Sequence, residues 1–232
     1  MRAWLADFLR FLWRPTFAAQ PMAWGRVAAL VLLLVLLLNL SVSSLLLVLL
    51  ETADERGGFL PELAELPPLR LRDMIGPVLL APVLEELVFR SWLSGRVAAL
   101  RFAVYGFAAV GIFLANFIFM DGVRSWLAFA GLAVVFGGLV HWGMTRQRDT
   151  AVPAWFAARF HWIVWASTAL FGLLHMGNHG ELTNPLGVVI VLPQVVGGLL
   201  LAYTRTRIGL AAAMLQHSLF NAVWFGMDFA GL

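Results

Sequence analysis

The chain has 232 residues, 61% of them hydrophobic and only 12% charged, with a mean hydropathy of +0.86. That excludes a soluble globular domain and leaves a bundle of membrane-spanning helices with no large extramembrane part. The formal charge is +3, all sixteen basic residues are arginine, and there is no cysteine. Schiff-base chemistry (and with it a retinal-binding reading), disulfides and thiolate ligands are therefore excluded. The arginines lie singly or in pairs at the ends of apolar runs, as topology determinants do, so no nucleic acid is expected as a partner.

Residues 1–26 form an amphipathic N-terminal segment. Trp4, Phe8, Phe11 and Leu12 stand at helical spacing against Arg2, Asp7, Arg10 and Arg14, ahead of Pro15. This predicts a short helix lying in the membrane interface, not a signal peptide, because no continuous apolar stretch is present. The first span is expected at about Val27–Leu50. A loop over 51–73 follows, with Pro61, Pro67 and Pro68 and six acidic residues against three basic ones. Later spans are expected at about Met74–Leu93, Phe102–Met120, Ser125–Met144, Ala154–Met176, Leu186–Tyr203 and Gly209–Phe229. The chain thus reads as all-α, a single polytopic membrane domain of seven transmembrane helices plus an N-terminal interfacial helix.

Loop charge sets the orientation. With the N-terminus inside, eleven arginines (2, 10, 14, 26, 96, 101, 146, 148, 159, 205 and 207) fall on the cytoplasmic side. Four (56, 70, 72 and 124) fall outside. This bias predicts N-in, C-out. No internal repeat is visible.

Polar residues gather on three of the expected spans. Glu85-Glu86 lies in the apolar stretch Pro82–Arg90, where two carboxylates cost several kcal/mol unless they are paired or used. Glu86 and Arg90 are four apart on one helical face, and arginine keeps its charge, so the pair would hold Glu86 ionised. Glu85 points about 100° away and is left to face a cavity as a general base. His217 and Asn221 are also four apart, two donors that suit an oxyanion. His175, one turn after Phe171, is placed to hold a water against Glu85. Counted at about 1.5 Å per residue from the nearest inner arginine, Glu85 and His217 come out about 15–16 Å deep and His175 about 24 Å.

Each cluster alone has an ordinary explanation. The acidic pair with Arg90 could be a structural ion network or a proton-coupling carboxylate of a transporter. Either histidine could be a satisfied packing group, and Asn221 could be helix–helix glue. His141, His161 and His179 read as structural, and His175 with His179 reads as a zinc pair only weakly, because Gly177 and Gly180 end the helix there.

Together, Glu85-Glu86-x-x-x-Arg90, Phe171-x-x-x-His175 and His217-x-x-x-Asn221 resemble, in order, the motifs of the CPBP family of intramembrane proteases. That family includes the CAAX prenyl endopeptidases of the Rce1 type and the bacterial Abi proteins. The resemblance covers about 74–229. It implies that Glu85 activates the hydrolytic water with help from His175, that His217 and Asn221 stabilise the oxyanion, and that Glu86 and Arg90 support the site. It also implies no cofactor, with zinc as the alternative, and a membrane-anchored or lipidated protein substrate. The chain departs from the family in spacing: Glu85 and His175 are separated by two extra apolar spans at about 102–144, an inserted hairpin that preserves topological parity. A lysine-free chain with short loops reads as bacterial and therefore as a multi-pass protein of the inner membrane. The competing functions are a non-catalytic immunity or scaffold protein of the same fold and, after that, a proton-coupled transporter. The oligomeric state is not legible.

Overall fold

A computed structural model describes residues 2–18, 20–63, 71–119 and 125–230. Among them the chain is helical, with one isolated bridge between Leu63 and His179 in place of any sheet. The helices are α1 (Arg2–Trp13), α2 (Arg26–Gly57), α3 (Ala81–Phe89), α4 (Val97–Phe119), α5 (Ser125–Thr145), α6 (Ala154–Ala158), α7 (Phe160–Leu174), α8 (Leu192–Arg207) and α9 (Leu210–Ala230). They form two compact units, one from Met1–Val83 with Phe160–Leu232, the other from Leu84–Arg159.

The larger unit is built around α8. Its residues from Gly197 to Thr204 are all buried, the mark of a helix enclosed by neighbours on every side. On one flank lies α2, whose buried residues Ala28, Val31, Leu32, Val35, Leu36, Asn39 and Ser43 make one stripe, while Leu30, Leu33, Leu34 and Leu37 on the other face are exposed. Small residues bring the axes close, as is common between membrane helices. A Cβ at Gly197 would meet Asn39 Oδ1 at 3.4 Å, and one at Gly172 on α7 would meet Val195 Cγ2 at 2.4 Å. Between α8 and α9, the Thr204 hydroxyl donates to Gln216 Oε1 at 2.5 Å with both residues fully buried.

A helix, α1, stands where the interfacial one was expected, and it is docked. Phe8 and Phe11 are buried against Tyr203, with ring centroids 4.9 and 5.2 Å away, while Leu5, Leu9 and Trp13 stay exposed. Arg207 holds it: Nε donates to Asp7 Oδ2 at 2.8 Å, Nη2 to Asp7 Oδ1 at 2.9 Å, and Nη1 to the Thr16 carbonyl at 2.9 Å. The Arg207 hydrogen bonds and charge hold the Asp7 carboxyl below its ordinary 3.8, against the opposing pull of burial. A depressed carboxylate contributes stability above its undocked value and loses it as the pH falls below about 4. Because the chain has no cysteine, a spin label at Leu9→Cys is unique. Its mobile component is expected to grow as the pH falls from 5 to 3. Asp7→Asn should show it already at pH 7, at a cost of about 1 kcal/mol since Asp7 is partly exposed. A label equally immobile at pH 3 and pH 7 would mean that the ion pair does not hold the helix.

The smaller unit is a helical hairpin. Phe113 lies against Gly131, Tyr105 against Gly138 and His141, and Arg101 pairs with Asp149, so α4 and α5 run antiparallel. Arg101 keeps the Asp149 carboxyl below its ordinary value. The two helices occupy the stretch where an inserted hairpin was expected, about 102–144, and run longer at both ends.

Among the described residues, four helical stretches are long and apolar enough to cross a membrane: Arg26–Gly57, Val97–Asn116, Trp126–Thr145 and Pro185–Arg207. Seven spans were the expectation, and the remaining three differ in form. The stretch expected as one helix over 74–93 is instead a 3₁₀ turn (Leu71–Met74), a π-turn (Gly76–Leu80), the nine-residue α3, and a second 3₁₀ turn (Ser91–Ser94). Pro77 and Pro82 remove N–H donors here, which an unbroken α-helix does not tolerate. The fifth expected span divides into α6 and α7 at Arg159. The seventh, α9, has its full 21 residues, but Gln216, His217 and Asn221 lower its hydropathy. The first span runs on to Gly57, where Gly58 takes φ 56° and Asp54 Oδ1 accepts the Phe59 and Leu60 N–H groups. This shortens the expected loop, whose Pro67, Pro68 and Arg70 lie outside the described residues, as does Arg124.

Candidate active site

The predicted site residues fall into two groups, one on each unit. In the smaller unit, Glu86 and Arg90 are fully buried and joined by Arg90 Nη1 to Glu86 Oε1 at 2.9 Å. The pair closes one helical turn, and the Arg90 N–H also donates to the Glu86 carbonyl at 3.0 Å. Arg90 lies just past the end of α3, with its guanidinium 5.7 Å from the Phe89 ring centroid. Glu85, one residue round the helix, is only half-buried. The adjacent residues thus differ in burial: Glu86 is enclosed and ion-paired, Glu85 half-buried.

In the larger unit, Phe171 is the hub. Buried near the end of α7, its ring lies 4.6 Å from the His175 ring and 5.9 Å from the His217 ring. The spacing of Phe171 and His175 is one helical turn, which stacks them on one face, and α9 brings His217 to the same ring.

His175 opens a 3₁₀ turn (His175–Asn178), and its Nδ1 lies 2.7 Å from the Phe171 carbonyl. A carbonyl only accepts, so Nδ1 carries the proton and Nε2 of the neutral ring offers a lone pair. That tautomer suits a group that takes a proton or holds a water. His179, at the end of the same turn, is kept below its ordinary 6.5, first by burial and then by the nearby His175. His217 is buried on α9.

Asn221 is also on α9, one turn beyond His217, and its Nδ2 donates to the Pro77 carbonyl at 2.8 Å. Sequence reasoning gave its amide to an oxyanion. A carboxamide has two N–H groups, and one is committed to this backbone oxygen. The signal for that was in the sequence, since prolines at 77 and 82 leave a carbonyl short of a donor. Among the described residues, no three His, Asp or Glu side chains gather as a metal site.

All-helical architecture, apolar spans and ionisable groups buried on the helices define a multi-pass membrane protein with a polar interior. Residues 148–223, about a third of the chain, match the family model of the Type II CAAX prenyl endopeptidase Rce1-like proteins. This region is similar to the Rce1-like proteins, in line with the CPBP/Rce1-type resemblance of the motifs. The match contains Phe171, His175, His217 and Asn221, and begins well after Glu85, Glu86 and Arg90. The family is one of peptidases. No curated protein and no solved structure matches the chain.

Proposed function

We propose that the protein is an intramembrane endopeptidase that hydrolyses a peptide bond of a membrane-anchored or lipidated protein, with seven spans, N-in and C-out, in a bacterial inner membrane. The observation that carries this is the Rce1-like match over the segment in which Phe171 holds His175 and His217 against one ring. In this reading Glu85 takes a proton from water, with His175 Nε2 as the second acceptor, while the water oxygen bonds to the scissile carbonyl carbon. His217 and the second Asn221 N–H donate to the resulting oxyanion. As the carbon–nitrogen bond breaks, the proton passes to the leaving nitrogen. Glu86 and Arg90 keep the carboxylate helix in register. The protein's own base and donors carry the chemistry, with zinc as the alternative.

The test is cleavage of a quenched-fluorescence peptide library with lipidated and transmembrane-anchored members by detergent-purified protein, with and without chelator. His217→Ala is expected to lower kcat by about 10²–10³-fold with KM little changed. Activity that disappears with chelator would restore the metal. A His217→Ala protein as active as wild type would remove the oxyanion role.

Behind the non-catalytic immunity or scaffold reading stands a proton-coupled transporter, to which two interrupted helices, at Gly76–Leu80 and Pro185–Val191, lend support. It predicts pH-gradient-driven uptake into vesicles and no cleavage.

A further inference from the structure

The π-turn ahead of the acidic helix leaves one backbone oxygen without a donor of its own. In an α-helix the Pro77 carbonyl would receive the N–H of residue 81, four positions on. Here the Ala81 N–H goes five positions back, to the Gly76 carbonyl. Continued by one residue, that wider pattern would bring the N–H of residue 82 to Pro77. Residue 82 is proline and has none. Both registers therefore fail at the same oxygen, in a segment where an unsatisfied carbonyl costs several kcal/mol. The donor comes from 144 residues away in sequence: Asn221 Nδ2, at 2.8 Å.

We infer that Asn221, besides the oxyanion role proposed for its second N–H, is a positioning residue, whose side-chain amide replaces the N–H missing at Pro82 and so holds the π-turn that leads into the helix of Glu85 and Glu86. The consequence is one of phase. A π-turn inserts one residue into the α-helical count, and one residue is about 100° of rotation. Glu85 follows Pro82 by three residues, so whether the turn stays wide or closes determines which way the carboxylate faces. Its effect on cleavage rests on the proposed role of Glu85; the effect on the turn does not.

The two parts are separable by a rescue experiment. Asn221→Leu keeps the approximate shape and removes the donor. Pro82→Ala restores a backbone N–H that reaches Pro77 in the wide register, or frees the Ala81 N–H to do so in the narrow one. Hydrogen–deuterium exchange of the amides of 83–89, read in detergent on the full chain, is the primary measurement. Asn221→Leu should speed exchange there by at least about tenfold, and Pro82→Ala/Asn221→Leu should return it to within about twofold of Pro82→Ala alone. If Asn221→Leu does not accumulate, accumulation of the double variant is the rescue. No acceleration in Asn221→Leu, a double variant that exchanges as fast as the single one, or failure of both variants to accumulate would overturn the inference. On a cleaved peptide, Asn221→Leu should lower kcat. Absence of any cleavage by wild type would sink the peptidase reading and leave the exchange result standing.

Discussion

Glu85→Gln is expected to lower kcat on any cleaved peptide by about 10²–10⁴-fold, the range for loss of a general base, with KM nearly unchanged. Glutamine keeps the size and the hydrogen-bonding plane but cannot take a proton from water. The choice of Glu85 over Glu86 follows from their surroundings. Glu86 is fully buried with an oxygen 2.9 Å from Arg90 Nη1, whereas Glu85 is half-buried. The thermal midpoint of Glu85→Gln should stay near that of wild type, because the change removes a charge without opening a cavity. If Glu85→Gln cleaves within threefold of wild type, Glu85 is not the base. If its in-cell phenotype also persists, the non-catalytic scaffold reading gains.

Arg90→Met should destabilise the fold by about 3–5 kcal/mol, the range for leaving one member of a buried ion pair without the other. Both side chains are within 1% of complete burial, so no water is at hand to solvate an abandoned Glu86 carboxylate. That loss rivals the whole stability of marginal domains, and Arg90→Met alone is expected to accumulate poorly in the membrane. The informative protein is Glu86→Gln/Arg90→Met, which removes both charges and should recover at least half of the lost stability, read as the midpoint of thermal unfolding in detergent. A double variant as unstable as Arg90→Met would show that Arg90 acts through other partners.

Local spacing was what the sequence displayed well. Four-residue separations placed Glu86 with Arg90 and Phe171 with His175, and the apolar runs located α2, α4, α5 and α8. What escaped notice was set by distant partners. That α9 would bring His217 to the Phe171 ring, that Arg207 would grip Asp7, and that Asn221 would reach Pro77 all depend on chain segments far apart, which periodicity does not relate. Helix continuity was misjudged where prolines stand five apart at 77 and 82, because hydropathy is blind to a missing N–H. There is a pattern in the remainder. Every candidate site residue lies on α3, α7 or α9, or next to its end, and these are the helices that fall short of an ordinary apolar span. The polar groups that would do chemistry, and the breaks that aim them, are the features that make a helix read poorly as transmembrane.

The Arg207 clamp has a consequence in time. Asp7 and Arg207 are separated by 200 residues, and at about 5–20 residues per second roughly 10–40 s pass before the second partner exists. Throughout that interval Phe8 and Phe11, buried in the finished protein, have no Tyr203 to rest on. The headgroup layer is the available shelter, and an amphipathic helix is suited to it. On that timing the N-terminal helix would lodge first in the lipid surface and become part of the fold only when α8 emerges.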